Sequence, residues 1–136
     1  MEQRFKNKVV IVTGAAQGIG KACAIRFARE GGEIVIADRA EKQARLVQKQ
    51  IRDKGGIAEV CVVDLETSAG AKEAMQTTMD KFGRIDVSVH NVGGTIWTKP
   101  FWEYPEDQIE KEINRSLWPT LWCCRAVIPY MIEQKH

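Results

Sequence analysis

The stretch VVIVTGAAQGIG, residues 9–20, decides how the rest of the chain is read. Val9 to Val12 is an apolar, mostly β-branched run with the length of a short buried strand. Thr13-Gly14 ends that strand, and Gly18 and Gly20 stand at the mouth of an expected helix. A strand, a glycine-rich turn and a helix N-terminus in succession make an anion site. Free backbone N–H groups point outward there, and the helix dipole favours negative charge. The phosphates of a nucleotide are the usual occupant. The spacing is G-x-x-x-G-x-G, not the G-x-G-x-x-G of the common dinucleotide fingerprint. The roles still divide in the same way. Gly14 allows the sharp turn and Gly18 lets the backbone approach a pyrophosphate. Gly20 opens a helical stripe that continues as Cys23, Ala24, Phe27, Ala28 and Gly31. Small residues on that stripe let the helix lie close on its strand. Gln17 and Ile19, between the glycines, are assigned to the same site.

Outward from this stretch the pattern alternates. Gly31-Gly32 stops the first helix, and EIVIAD (Glu33 to Asp38) reads as a second buried strand. Ala40, Ala44, Val47 and Ile51 recur at helical spacing up to Gly55-Gly56. Ile57 to Val63 is a third strand, ending at Asp64. Ala71, Ala74, Met75, Thr78 and Phe82 share a helix face that ends at Gly83, and Ile85 to Val89 is a fourth strand. The order β-α-β-α-β-α-β with short connections predicts an α/β fold: a Rossmann-like, doubly wound parallel sheet with right-handed crossovers. The expected strand order is 3-2-1-4, incomplete at the C-terminus, with a crevice between the first and fourth strands at their carboxyl ends. Pro105 to Met131 reads as one long helix kinked at Pro119. One stripe runs through Ile109, Ile113, Ser116, Leu117, Thr120, Cys124, Val127, Ile128 and Met131. A second runs through Trp118, Trp122 and Ala126. A helix apolar on most sides needs burial on most sides, so a partner helix is implied, either later in the chain or from another subunit.

Length and composition set the bounds. The chain has 136 residues, typical of one domain, with 44% apolar and 28% charged residues, enough for a core of its own. A net charge of +2 without a basic cluster argues against a nucleic-acid partner. No apolar run is long enough to span a bilayer, so no membrane partner is expected. The N-terminal MEQRFKNK lacks the apolar core of a signal peptide, which leads us to expect a cytoplasmic protein. Cys23, Cys61, Cys123 and Cys124 show no metal-ligand spacing and read as reduced thiols.

Several residues then become site candidates. Asp38 ends the second strand 18 residues after Gly20, where a carboxylate accepts hydrogen bonds from adenosine ribose hydroxyls and repels a 2′-phosphate. That favours NAD over NADP, although the neighbouring Arg39 is of the kind that holds a phosphate. Asp64, with Leu65 beside it, ends the third strand near where adenine would lie. The alternative for Asp64 is a cap for the helix near Thr67. Asn91 and Gly93 follow the fourth strand at the crevice. Gly94 to Tyr104 is a loop carrying Trp97, Lys99, Phe101 and Trp102, either a substrate wall or a loop packed on the domain.

T-G-x-x-x-G-x-G (Thr13 to Gly20), Asp38, Asp64 and His90-Asn91-Val92-Gly93 together resemble the short-chain dehydrogenase/reductase family. The family's last motif is usually N-N-A-G, so His90 and Val92 are variants. NVGGTIWTKPF (Asn91 to Phe101) and SLWPTLWCCRAVIPYM (Ser116 to Met131) are similar, more narrowly, to the cis-diol dehydrogenases of benzoate degradation. This resemblance implies oxidation of a cyclic cis-diol carboxylate by NAD, with loss of CO₂ to give catechol. Without a fifth strand, the fourth strand is an exposed edge and the long helix lacks neighbours, so we expect a chain that is marginally stable, aggregated, or a homo-oligomer through the helix bearing Trp118 and Trp122. The family's catalytic Asn, nine residues before the arginine of R-A-V-I-P-Y-M, is Ser116 here, read either as the holder of a relay water or as a packing residue. Asn114 lies roughly 200° around the helix and does not replace it. The family's general acid/base is a Tyr-x-x-x-Lys pair. None exists here, since Tyr130 and Lys135 are five apart. The chain is therefore expected to be the cofactor-binding N-terminal part of such an enzyme or, alternatively, a non-catalytic NAD-binding module.

Overall fold

The structure is a computed structural model and describes residues 2–135. Its central sheet has four parallel strands, β1 (Val9–Thr13), β2 (Glu33–Asp38), β3 (Ile57–Val62) and β4 (Val87–Val89), in the order β3-β2-β1-β4. The expected order holds because β1, once flanked by β2, takes β4 on its other side. Val10 pairs with Val87 and Val12 with Val89. Along β1 the side chains alternate between faces. Val10 and Val12 pack with Ile34, Ile36, Ala44, Val47 and Ile51 under α1 (Gly18–Arg29) and α2 (Glu41–Arg52). Ile11 packs with Val35, Met75, Ile85, Cys123 and Val127 against α3 (Ser68–Phe82) and α5 (Trp118–Gln134). Both faces of the sheet are thus covered, as a parallel sheet requires.

The ends of the elements follow local chemistry. Thr67 caps α3 by accepting from the Gly70 N–H at 3.0 Å, and Gly83 closes it at φ 72°. At the C-terminal end of α1, Glu30 is 1% exposed. Its carboxylate accepts from the guanidiniums of Arg4 and Arg26. Hydrogen bonds from Arg4, then Arg26, hold its carboxyl at about 2, against an ordinary 4.5. Those contacts, with the edge-to-face pair Phe5–Phe27, fasten the N-terminal segment to the C-terminal end of α1.

Three expectations need correction. The helix expected from Pro105 to Met131 is two helices, α4 (Glu106–Ser116) and α5, separated at Leu117. Pro119 is the cause. It offers no N–H to the Arg115 carbonyl and its ring crowds that carbonyl, so it fits the first turn of a new helix better than the interior of an old one. The break also changes which face is buried. Pro119, Cys123 and Val127 turn inward, with Trp122, Ala126 and Tyr130 packed beside them, while Leu117, Leu121, Ile128 and Ile132 stay exposed. Finally, the fourth strand is shorter than Ile85 to Val89. Ile85 is fully buried but lies before the paired residues, and the Gln134 side chain takes both of its backbone groups. Ile85 N–H donates to Gln134 Oε1 at 3.0 Å, and Gln134 Nε2 donates to the Ile85 carbonyl at 2.9 Å.

Candidate functional site

The site begins where β1 runs out. Gly14 turns the chain at φ +63°, its N–H donating to the Ala37 carbonyl at 2.8 Å. Thr13 stitches the ends of β1 and β4 together. Its hydroxyl donates to the Val89 carbonyl at 3.2 Å and accepts from the Asn91 N–H at 2.9 Å. Asn91 reaches back, its Nδ2 donating to the Gly14 carbonyl at 3.2 Å. The glycine turn is therefore held from the β4 side by Thr13 and Asn91. Thr13 marked only the end of a strand in the sequence. Its role depends on a residue 78 positions away, which no local pattern reveals.

Gly18 follows at φ +55° with open space where a side chain would start. Gln17 precedes α1 in extended backbone, and no side chain caps that helix. Its first N–H groups, which have no intrahelical partner, are thus left for a ligand. Gly20 has a different task. A Cβ there would lie 2.1 Å from the Gly14 carbonyl oxygen and 2.6 Å from Asn91 Nδ2. It is the point at which α1 presses against the turn.

A cleft of about 530 Å³ opens at the carboxyl ends of the strands. Gly14, Gln17, Gly18 and Ile19 line one side, Asp38 and Arg39 the end of β2, Val63 to Glu66 the end of β3, and Asn91 to Gly93 with Arg115 the far wall. Nine of the ten residues expected at a cofactor site meet here, and Gly20 packs behind the turn without lining the cleft. Asp38 accepts from the Ala16 N–H through Oδ2 and from the Ala40 N–H through Oδ1, both at 2.9 Å. Asp64 is exposed and does not cap the next helix. Its Oδ1 accepts from the Glu66 N–H at 3.0 Å, its carbonyl accepts from the Thr67 hydroxyl, and Thr67 makes the cap. Arg115 crosses from α4 to Glu66 at 3.2 Å, a pairing not anticipated from sequence because the two residues are 49 apart.

The remaining candidates stand apart from this cleft. Ser116 ends α4, and its hydroxyl donates to the Gly94 carbonyl at 3.1 Å and accepts from the Gly94 N–H at 3.3 Å. Trp97 and Lys99 pack on the domain instead of lining the cleft. The N–H groups of Ile96 and Trp97 donate to Glu112 Oε1, the Tyr104 hydroxyl donates to the Trp97 carbonyl, and the Lys99 ammonium lies 5.1 Å from the Tyr104 ring centre. Phe101 and Trp102 in the same segment are 71% and 83% exposed. At the end of β4, burial pushes the His90 imidazole down from its ordinary value by disfavouring the charged form. Among the described residues no cluster of His, Cys, Asp or Glu is placed to hold a metal, and no helix is long and apolar enough to cross a membrane. The four cysteines are free.

A parallel sheet ordered 3-2-1-4, with a glycine turn and an uncapped helix at its switch point, defines a Rossmann-like nucleotide-binding fold. The chain belongs to the short chain dehydrogenase family, whose sequence profile matches residues 8–136. It is 50% identical over 134 residues to the 1,6-dihydroxycyclohexa-2,4-diene-1-carboxylate dehydrogenase of Acinetobacter baylyi, covering 98% of this chain and 51% of that protein. The protein of the same name from Pseudomonas putida is 48% identical over 136 residues, covering 98% and 49%. Among solved structures, a metagenomic short-chain oxidoreductase in complex with NADP superposes with a TM-score of 0.90 at 30% identity, covering 97% of this chain and 60% of that one. A hydroxysteroid dehydrogenase from Escherichia coli gives 0.90 at 30%, covering 97% and 55%. The chain spans about half the length of the curated relatives it matches. Its fold is that of the NAD(P)-binding oxidoreductases, related to the cis-diol dehydrogenases.

Proposed function

We propose that these 136 residues form the NAD-binding part of a short-chain dehydrogenase and do not by themselves catalyse hydride transfer. The observation that carries this reading is the cleft in which Gly14, Gln17, Gly18, Ile19, Asp38, Asp64, Leu65, Asn91 and Gly93 converge. Amides of the turn and of the uncapped helix receive the pyrophosphate, and the Asp38 carboxylate accepts from the adenosine ribose. A carboxylate at the end of β2 also repels a 2′-phosphate, which is the argument for NAD over NADP. Arg39 lines the same cleft and opposes it. Non-catalysis follows from chemistry. Neither Tyr104 nor Tyr130 is followed four residues later by a lysine, since positions 108 and 134 are both Gln. No described group thus takes the role of general acid/base with a lysine to lower its pKa.

For the whole protein we propose a dehydrogenation of the compound in its relatives' name. The cis-diol carboxylate 1,6-dihydroxycyclohexa-2,4-diene-1-carboxylate is oxidised by NAD to catechol, CO₂ and NADH. When bound, the oxidised nicotinamide supplies the hydride acceptor. Ser116, Trp97 and Lys99 are then the nearest things this chain offers to a substrate side. Ser116 anchors Gly94, where the segment that carries Trp97 and Lys99 begins, and Glu112 holds that segment at the Ile96 and Trp97 N–H groups. We further propose association of two or more copies through α5 at Trp118, which is exposed and stacks on the half-buried Trp122 at 4.9 Å. A monodisperse monomer in sedimentation would end that part of the proposal.

The test is a pair of titrations and one assay on the 136-residue chain. NADH binds more tightly than NADPH, and NAD with the cis-diol carboxylate gives no NADH. Absence of NADH binding refutes the cofactor reading, and measurable turnover refutes the non-catalytic one.

A further inference from the structure

We propose that Asp38 is a positioning residue for the phosphate turn, setting its shape in addition to meeting the ribose. This rests on the cofactor reading above and extends it. Ala16 sits in the middle of the turn between Gly14 and Gly18 and is 5% exposed. A buried N–H at that place needs a partner from the protein. It finds Asp38 Oδ2 at 2.9 Å, while Asp38 Oδ1 takes the Ala40 N–H at 2.9 Å. One carboxylate thus ties the glycine turn to the start of α2.

The tie is anchored in a rigid part of the molecule. Asp38 closes β2, an interior strand paired on both sides, with Ala37 opposite Thr13 and Asp38 opposite Val62. Bonds from neutral N–H groups to an ionised carboxylate are stronger than those between neutral groups. A carboxylate has roughly four acceptor positions, so two backbone N–H groups leave capacity for a ribose diol. The two roles are compatible, and they make opposite predictions for a bare anion. If Asp38 acted only through its charge and the ribose, removing it would relieve repulsion and tighten inorganic pyrophosphate. If it holds the turn, removing it releases Ala16, the amides lose their common direction, and pyrophosphate binds more weakly.

The experiment compares wild type, Asp38→Ala and Asp38→Asn in the 136-residue chain. It reads amide hydrogen exchange at Ala16 and Ala40, with Ile11 and Val35 as reporters of the core, together with titration by inorganic pyrophosphate. Asp38→Ala is expected to speed Ala16 exchange by roughly tenfold or more, the factor one hydrogen bond of this kind carries. Core exchange stays unchanged and pyrophosphate binding weakens. Asp38→Asn keeps one acceptor oxygen and falls between the two. Unchanged Ala16 exchange in Asp38→Ala with an intact core, or tighter pyrophosphate binding, overturns the proposal. If Asp38→Ala loses core protection, Asp38→Asn decides, and an Ala16 rate equal to wild type is then the refuting result. The exchange arm needs no ligand. A chain that bound neither NADH nor pyrophosphate would therefore defeat the cofactor reading and still test the tie.

Discussion

Gly20→Ala sets two physical effects against each other. Alanine is the better helix former, and Gly20 lies inside α1 without a positive φ, so propensity alone predicts a gain of up to about 1 kcal/mol. Packing predicts the reverse. The new methyl would lie 2.1 Å from the Gly14 carbonyl oxygen, 2.6 Å from Asn91 Nδ2 and 2.8 Å from the Gly14 carbonyl carbon. The shortest of these falls more than about 1 Å inside ordinary van der Waals contact. Two of the three obstacles are backbone, which cannot swing away. Overpacking of this kind costs about 1–3 kcal/mol, sometimes more. Separating Asn91 from the Gly14 carbonyl adds about 1 kcal/mol. The clash wins, and after the propensity gain is subtracted we expect a net loss of about 1–3 kcal/mol in urea unfolding, with loss of NADH binding because the turn is displaced. Gly18→Ala is the control. Nothing lies within 4 Å of its Cβ, so only the left-handed backbone at φ +55° is strained, at about 1–2 kcal/mol. A Gly20→Ala chain as stable as wild type, or less affected than Gly18→Ala, would refute the packing argument.

Acid should weaken the fold through Glu30. Its carboxyl ionises near 4.5 in the unfolded chain and at about 2 in the folded one, so its contribution is complete above about 4.5 and is lost as the pH falls toward 2. The urea midpoint of wild type should drop between about pH 5 and pH 3, and that of Glu30→Gln should drop less. Arg115 and Glu66 are each about one-third exposed, so a double-mutant cycle should give less than about 1 kcal/mol, vanishing in high salt. Burial, with the neighbouring Cys124 second, pushes the Cys123 thiol up to about 11. An alkylating reagent at neutral pH should therefore modify Cys124 before Cys123, and equal rates in the folded chain would contradict this.

Much of the fold was legible in the residues themselves. VVIV, EIVIAD and the run from Ile57 carry strand signals, glycines end the first three helices, and alternation with short connections leaves few topologies for a parallel sheet. The candidate cleft was legible for the same reason, since the turn and the strand ends that line it are local features. Ser116, Trp97 and Lys99 were harder. Their surroundings come from Gly94, Glu112 and Tyr104, and the same residue types fit a substrate wall or a packed loop until those partners are known. The break at Leu117 had a visible cause in Pro119, but its effect on which face of α5 turns inward did not.

By itself, then, the sequence determined what depends on near neighbours: the order of strands and helices, the glycine turn, and the carboxylate at the end of β2. Tertiary structure alone decided what depends on residues far apart in the chain. Thr13 and Asn91 hold the turn, Asp38 takes the Ala16 N–H, Gln134 covers Ile85, and Arg115 reaches Glu66. Periodicity and spacing record which way a residue faces within its own element. They carry no record of which distant donor or acceptor arrives beside it once the sheet has closed.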